Sequence, residues 1–156
     1  KDSFELNKEN FNLQNALTSI IVNESRLTDD SISITLPHEA ISINADLLHF
    51  TNVISNILDN AIKYSDDDID IDVVVTQDAD LITVSITDKG VGIEKEKLKN
   101  IFDKFYRVST GNLHNVKGFG LGLFYVKNIC AAHKWIIEVE SVYGSGTSVM
   151  IKIPHK

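Results

Sequence analysis

Five stretches of this chain mostly alternate apolar and polar residues with a period of two. They limit the possible fold more than any other feature. Ile32, Ile34 and Leu36 share one side of 31–36, which Pro37 ends. Ile69, Ile71, Val73 and Val75 alternate with Asp70, Asp72 and Val74, and Ile82, Val84 and Ile86 alternate with Thr83, Ser85 and Thr87. Segments 136–141 and 147–153 complete the set, with a hairpin loop over 142–146. Such strands have one face on a core and one toward water, whereas an all-parallel sheet shows continuous apolar runs. The expected fold class is therefore α+β, a two-layer sandwich, and not a doubly wound sheet.

Three amphipathic segments predict the helical layer. The first follows Asn12, a suitable N-cap, and places Leu13, Leu17, Ile20 and Ile21 at helical spacing. The second follows Asp46, fades near Ser65, and aligns Leu47, Phe50, Val53, Ile54, Ile57, Leu58, Ala61 and Ile62. The third runs to about His133 with Leu123, Val126, Ile129 and Cys130 inward. Phe4 and Leu6 suggest a short extra strand, and 95–105 one or two short helices.

The second helix carries an unusual polar stripe. Asn52, Asn56 and Asn60 recur every four residues and Lys63 follows, so three amides and an ammonium share one face. Asn is a mediocre helix former, so the stripe suggests a face toward a Mg-nucleotide. Asn60 offers a carbonyl oxygen to Mg²⁺ and Lys63 a charge to phosphate, although an i,i+4 pair with Asp59 would also account for Lys63.

Asp88 extends the apolar face of Ile82, Val84 and Ile86, where an unpaired carboxylate is expensive. Either amides of the following turn satisfy it or it accepts from an adenine amine, which guanine could not supply. Thr147 shares a strand face with Val149, Ile151 and Ile153, and its hydroxyl can reach the same place. Gly90 and Gly92 allow close backbone approach. Gly118, Gly120 and Gly122 lie between a polar stretch, 109–117, and a helix start, an arrangement suited to phosphate. Arg107 and Lys117 flank that stretch and read either as phosphate contacts or as solvated surface. The acids Asp66, Asp67, Asp68, Asp70 and Asp72 read as solvent-facing, and His38 as surface. His133 reads as a cation favoured at a helix C-terminus.

The 156 residues suit one domain, and the net charge of −7 argues against nucleic acid as a partner. One cysteine, Cys130, excludes an internal disulfide. No apolar run approaches the ~18 residues of a membrane span.

Together these motifs resemble the catalytic, ATP-binding domain of bacterial two-component sensor histidine kinases, the Bergerat-type superfamily shared with gyrase and heat-shock chaperone ATPases. The resemblance rests on five boxes in order: Asn56–Ser65, Asp88–Gly92, Ile101–Arg107, Gly118–Leu123 and Gly144–Thr147. It implies a mixed, roughly five-stranded sheet on three helices, with a mobile ATP lid over 109–117. It further implies ATP and Mg²⁺ as cofactors. Asn60 would hold the metal, Lys63 contact phosphate, Tyr64 pack near adenine, and Asp88 read its amine. Gly90, Gly92, Ile93, Arg107, Lys117, Gly118, Gly120, Leu121, Gly122, Leu123 and Thr147 would complete the nucleotide site.

Hydrolytic members of that superfamily carry a water-activating glutamate where this chain has Asn56. An amide takes no proton from water, so ATP would be kept for a histidine. The implied activity is transfer of the γ-phosphate to a histidine on a separate dimerisation and phospho-acceptor helical domain, for relay to a response regulator receiver domain. The alternatives are an ATP hydrolase and a non-catalytic nucleotide-binding module. Expected with this reading are a fragment of a longer protein, monomeric alone, and a homodimeric, membrane-anchored whole with this domain on the cytoplasmic side. One departure is local: two glycines often follow the histidine that ends the last helix, and here Lys134 and Trp135 stand there.

Overall fold

The computed structural model describes residues 5–25, 32–63, 65, 69–102 and 121–154. In chain order the elements are β1 (Lys8–Asn12), α1 (Leu13–Ser25), β2 (Ile32–Thr35), β3 (Ser42–Asp46), α2 (Leu47–Lys63), β4 (Ile71–Gln77), β5 (Leu81–Asp88), α3 (Lys95–Leu98), α4 (Leu121–His133), β6 (Ile136–Val142) and β7 (Gly146–Pro154). Five strands form a mixed sheet in the order β2-β4-β5-β7-β6. β2 runs parallel to β4, and the other neighbours are antiparallel.

The period-two pattern sorts the two faces as expected. Ile71, Val73 and Val75 of β4, Ile82, Val84 and Ile86 of β5, and Val149, Ile151 and Ile153 of β7 are buried in one core. Against them pack Leu13 and Leu17 of α1, Phe50, Ile54 and Leu58 of α2, and Val126 and Ile129 of α4. Each such side chain contributes about 1.5–3 kcal/mol on burial. The opposite face is polar. Thr87 and Ser148 share a hydrogen bond of 2.9 Å, Lys152 pairs with Glu138 at 2.9 Å, and the Ser33 hydroxyl donates to Asp72. The result is the two-layer α+β sandwich.

The N-terminal strand differs from expectation. It lies at Lys8–Asn12 and not around Leu6, while Phe4 falls outside the described residues. Its own sequence, KENFN, has no period-two apolar pattern. It forms because β3 offers an antiparallel partner, with Lys8 opposite Asp46 and Asn12 opposite Ser42. The pattern that specifies this small sheet is in β3, where Ile43 and Ala45 are buried and Ser42 and Asn44 exposed.

Both predicted N-caps form. The Asn12 side-chain oxygen accepts from the Asn15 N–H at 2.7 Å, and Asp46 Oδ1 accepts from the His49 N–H at 3.0 Å. Asp46 Oδ2 also accepts from the Asn7 N–H at 2.8 Å, tying β1 to the start of α2. α4 ends in a Schellman turn. The Trp135 N–H donates to the Cys130 carbonyl and the Lys134 N–H to that of Ala131, with Lys134 at φ +65°. A lysine thus occupies a backbone position that glycine usually takes. Among the described residues, no helix is long and apolar enough to cross a membrane.

Candidate functional site

Asp88 closes β5 on its inner face, in line with Ile82, Val84 and Ile86, and is 9% exposed. Its Oδ1 accepts the Gly90 N–H at 2.8 Å. Burial pushes its pKa above the usual 3.8, while the Gly90 and Thr147 amides oppose the rise. One half of the carboxylate is therefore satisfied by the following turn, as the structural alternative anticipates.

The turn itself is fixed by its fit to the β6–β7 hairpin. Gly92 has φ +75°, and a Cβ there would lie 2.2 Å from the Val142 carbonyl oxygen. Gly146 has φ +124°, and a Cβ there would lie 2.1 Å from the Asp88 carbonyl oxygen. The Gly144 N–H donates to the Val91 carbonyl at 2.7 Å. The first and third glycine motifs are two halves of one backbone junction, which by itself requires these glycines.

Thr147 stands opposite Asp88 on one side and opposite Ser141 on the other. Ser141 Oγ accepts from the Ile93 N–H at 2.8 Å and donates to the Gly146 carbonyl at 2.8 Å. With its one proton so used, it receives the Thr147 hydroxyl, also at 2.8 Å. Ser141 thus joins the Asp88 turn, the hairpin and Thr147. No sequence motif marks it; only strand register places it there.

α2 packs over β5, and α4 packs on α2, so the stripe and Asp88 share the helical side of the sheet. Asn56, Asn60 and Lys63 are half-buried. Among the described residues no hydrogen-bond partner meets the Asn56 or Asn60 side chain. Asn52 is accounted for: its Nδ2 donates to the Tyr125 hydroxyl at 3.4 Å, which lies 2.5 Å from His49 Nδ1. Sequence reasoning missed His49 and Tyr125, because their meeting depends on how α4 crosses α2. Leu123 is half-buried against the core, and Leu121 and Gly122 begin α4. Tyr64, Arg107, Lys117, Gly118, Gly120 and the expected lid lie outside the described residues.

His133 is not the expected helix-terminal cation. It is buried, its Nε2 accepts the Asp46 N–H at 3.1 Å, and its Nδ1 donates to the Ile129 carbonyl at 3.0 Å. An accepting Nε2 carries no proton, so the ring is neutral. Burial lowers its pKa; the Ile129 carbonyl opposes this and the Lys8 charge adds to it. Trp135 explains the missing glycine: its ring stacks on His133 at 4.1 Å and meets Phe50 edge-on at 6.2 Å.

Comparison with known proteins bears on this arrangement. Residues 45–156 match the family described as histidine kinase-, DNA gyrase B-, and HSP90-like ATPase. The sensor protein RprX of Bacteroides fragilis (strain YCH46) is 52% identical over 114 residues, covering 72% of this chain and 22% of RprX. The sensor protein kinase WalK of Staphylococcus aureus (strain MRSA252) is 35% identical over 156 residues, covering 98% of this chain and 26% of WalK. This chain therefore spans about a quarter or less of these relatives. The fold is similar to that of a mycobacterial sensor histidine kinase, MprB, with a TM-score of 0.79 at 24% identity, over 95% of this chain and 97% of that one. On the family match and these identities, the chain belongs to the histidine kinase-, DNA gyrase B- and HSP90-like ATPases, as a catalytic, ATP-binding domain of the sensor histidine kinase type.

Proposed function

We propose that this domain binds Mg-ATP and donates its γ-phosphate to a histidine on a separate dimerisation and phospho-acceptor helical domain of the same protein, for relay to a response regulator receiver domain. The observation that carries the reading is Asp88. Its carboxylate is buried at the end of an apolar strand face, where Oδ1 accepts the Gly90 N–H and the Thr147 amide adds to it, yet burial still outweighs both. A further donor compensates the burial of its charge. The exocyclic amine of adenine is such a donor, and the oxygen of guanine is not. Thr147 and Ile93, held by Ser141, set the backbone around that contact.

The phosphates would then extend along the Asn56–Asn60–Lys63 stripe. The half-buried Asn60 amide has no partner among the described residues and fits a single oxygen ligand for Mg²⁺. No cluster of three His, Cys, Asp or Glu competes for that role among the described residues. Mg²⁺ bound with the nucleotide supplies neutralisation of phosphate charge. Lys63 adds a point charge, and the first turn of α4 adds backbone N–H groups and its positive dipole end. Tyr64, Arg107, Lys117, Gly118 and Gly120 complete the assignment. Asn56 supplies no base, so water is not activated and the imidazole of an acceptor histidine is the nucleophile. Positioning and electrostatics carry the transfer. The whole protein is on this reading a homodimer anchored in the membrane, with this domain as a monomeric unit on the cytoplasmic side.

Calorimetric titration with Mg-ATP and Mg-GTP tests the reading. Mg-ATP binds and Mg-GTP does not. Asp88→Asn weakens Mg-ATP by about 10- to 150-fold, as expected for a hydrogen bond to a charged group. Asn60→Ala abolishes phosphotransfer to a supplied acceptor domain. Asn56→Glu raises steady-state phosphate release. A wild-type chain that binds no Mg-ATP refutes the proposal.

A further inference from the structure

α4 runs antiparallel along α2, and its side-chain contacts trace that path. His133, at its C-terminal end, bonds the Asp46 N–H just before α2. Tyr125 lies eight residues earlier, about 12 Å along the helix, and meets His49 and Asn52 further along α2. One helical turn before Tyr125 lies Leu121, which opens α4, and one turn after Asn52 lies Asn56, with Asn60 a turn beyond.

Two polar contacts between these helices meet at the Tyr125 hydroxyl. Asn52 Nδ2 donates to the Tyr125 oxygen at 3.4 Å. The Tyr125 hydroxyl and His49 Nδ1 share a hydrogen bond of 2.5 Å, whose direction follows the His49 tautomer. Burial raises the pKa of the phenol; Asn52 opposes the rise and the Asp46 charge adds to it. Packing alone does not ask for a tyrosine here. Val126, Ile129 and Cys130 already bury the core side of α4, and an apolar residue at 125 would fill the same half-buried space. The hydroxyl adds a polar contact between the two helices at Asn52, the first residue of the stripe.

We propose that His49, Asn52 and Tyr125 are positioning residues: a clasp that sets the opening turn of α4 against Asn56 and Asn60, and hence the spacing of the phosphate half of the nucleotide site. None of the three contacts the nucleotide. The inference rests on the Mg-ATP reading above. It assigns Asn52 to the clasp and leaves Asn56 and Asn60 to the ligand. It also separates the two halves of the site, because Asp88 and its turn are held by the β6–β7 hairpin and share no bond with the clasp.

The separation is what the experiment reads. Mg-ATP affinity is measured by calorimetry and adenosine affinity by NMR titration, for the wild-type chain and for Tyr125→Phe, His49→Leu and His49→Asn. Tyr125→Phe keeps the ring and loses only the hydroxyl. It weakens Mg-ATP about three- to tenfold, the range of one hydrogen bond, and leaves adenosine within about twofold. His49→Leu does the same. His49→Asn restores Mg-ATP affinity, because its side-chain amide offers both an acceptor and a donor to the Tyr125 hydroxyl. Asn52→Ala, at an exposed position, gives a smaller loss of the same selectivity and stands in if either larger change disturbs folding. Unchanged Mg-ATP affinity, or equal weakening of both ligands, overturns the clasp while the Mg-ATP reading stands. A wild-type chain that binds adenosine but not Mg-ATP overturns both.

Discussion

Two junctions hold this domain's site together, and they are built from different materials. The turn after Asp88 meets the β6–β7 hairpin through backbone, with Gly92 and Gly146 allowing carbonyls to approach where no side chain fits. α2 meets α4 through side chains: His133 accepts the Asp46 N–H just before α2, His49 and Asn52 meet Tyr125, and Trp135, stacked on His133, meets Phe50 edge-on. A backbone fit either closes or fails. A side-chain junction can be weakened in steps and titrated. The end of the site proposed for adenine therefore has one geometry, while the end proposed for phosphate is adjustable.

The sharpest way to break the first junction is Gly146→Ala. Its Cβ would lie 2.1 Å from the Asp88 carbonyl oxygen, at a φ of +124° that alanine resists. Neither the hairpin nor the strand end can yield cheaply, so the expected loss is about 3 kcal/mol or more in urea unfolding. Gly144 provides the control. It has φ +90° but nothing within 4 Å of the place a Cβ would take, so alanine there costs only strain, about 1 kcal/mol. Equal losses at the two positions would mean that the carbonyl contact is not what holds the junction.

This difference also explains what could be read in the sequence. The sheet, its buried face and both helix caps follow from local patterns: Ile82, Val84, Ile86 and Asp88 on one side, and Asn12 and Asp46 before their helices. Asp88 stands out because a carboxylate ending an apolar face needs a donor. Ser141, His49 and Tyr125 do not stand out, because a polar residue on a strand or helix gains a role only from its partner across elements. β3 escapes notice because it is short, although Ile43 and Ala45 carry the pattern. His133 misleads because a helix C-terminus favours a cation only where water is near, and Trp135 and the Asp46 N–H exclude it here. The glycines are legible as motifs, yet their immediate cause is the loop–hairpin contact.

The start of α2, beside the second junction, should fail by smaller steps, and the Asp46 backbone N–H keeps its bond to His133 when the side chain is lost. Asp46→Ala removes the α2 cap and the acceptor of the Asn7 N–H together, at an expected cost of about 1–2 kcal/mol. The loss should concentrate in β1 and the first turn of α2 by hydrogen exchange. A uniform loss over the sheet would contradict the local role.

pH separates the junctions by sign. His133 has a folded pKa below its usual 6.5, so the unfolded chain binds more protons between the two values. Its contribution is complete above pH 6.5 and declines as pH falls through that window. Burial raises the Asp46 pKa, but the Asn7 and His49 amides outweigh it and the net shift is below 3.8. Asp46 therefore adds a loss only at pH values below 3.8. Asp88 has the opposite sign. Its folded pKa lies above 3.8, so its contribution is present below 3.8 and is lost as pH rises through the folded value. The sole tryptophan, Trp135, stacks on His133 and reports its protonation by fluorescence. The signal should titrate below pH 6.5 and lose that transition in His133→Asn.

The smallest effect expected is a gain. Lys134 sits at φ +65° in the Schellman turn that ends α4, where a β-carbon is disfavoured. Lys134→Gly removes that strain but gives the unfolded chain more freedom to lose, and the two effects oppose each other. The turn's hydrogen bonds, from the Trp135 and Lys134 amides, are backbone and survive the change. Relief of strain outweighs the added freedom, and a net stabilisation of about 0.5–1 kcal/mol is expected in urea unfolding. Double replacement with Trp135→Gly should reverse the gain, because it deletes the indole that covers His133 and meets Phe50. If Lys134→Gly destabilises the domain, the lysine contributes through its side chain, and the end of α4 is held by more than the turn and the stacked ring.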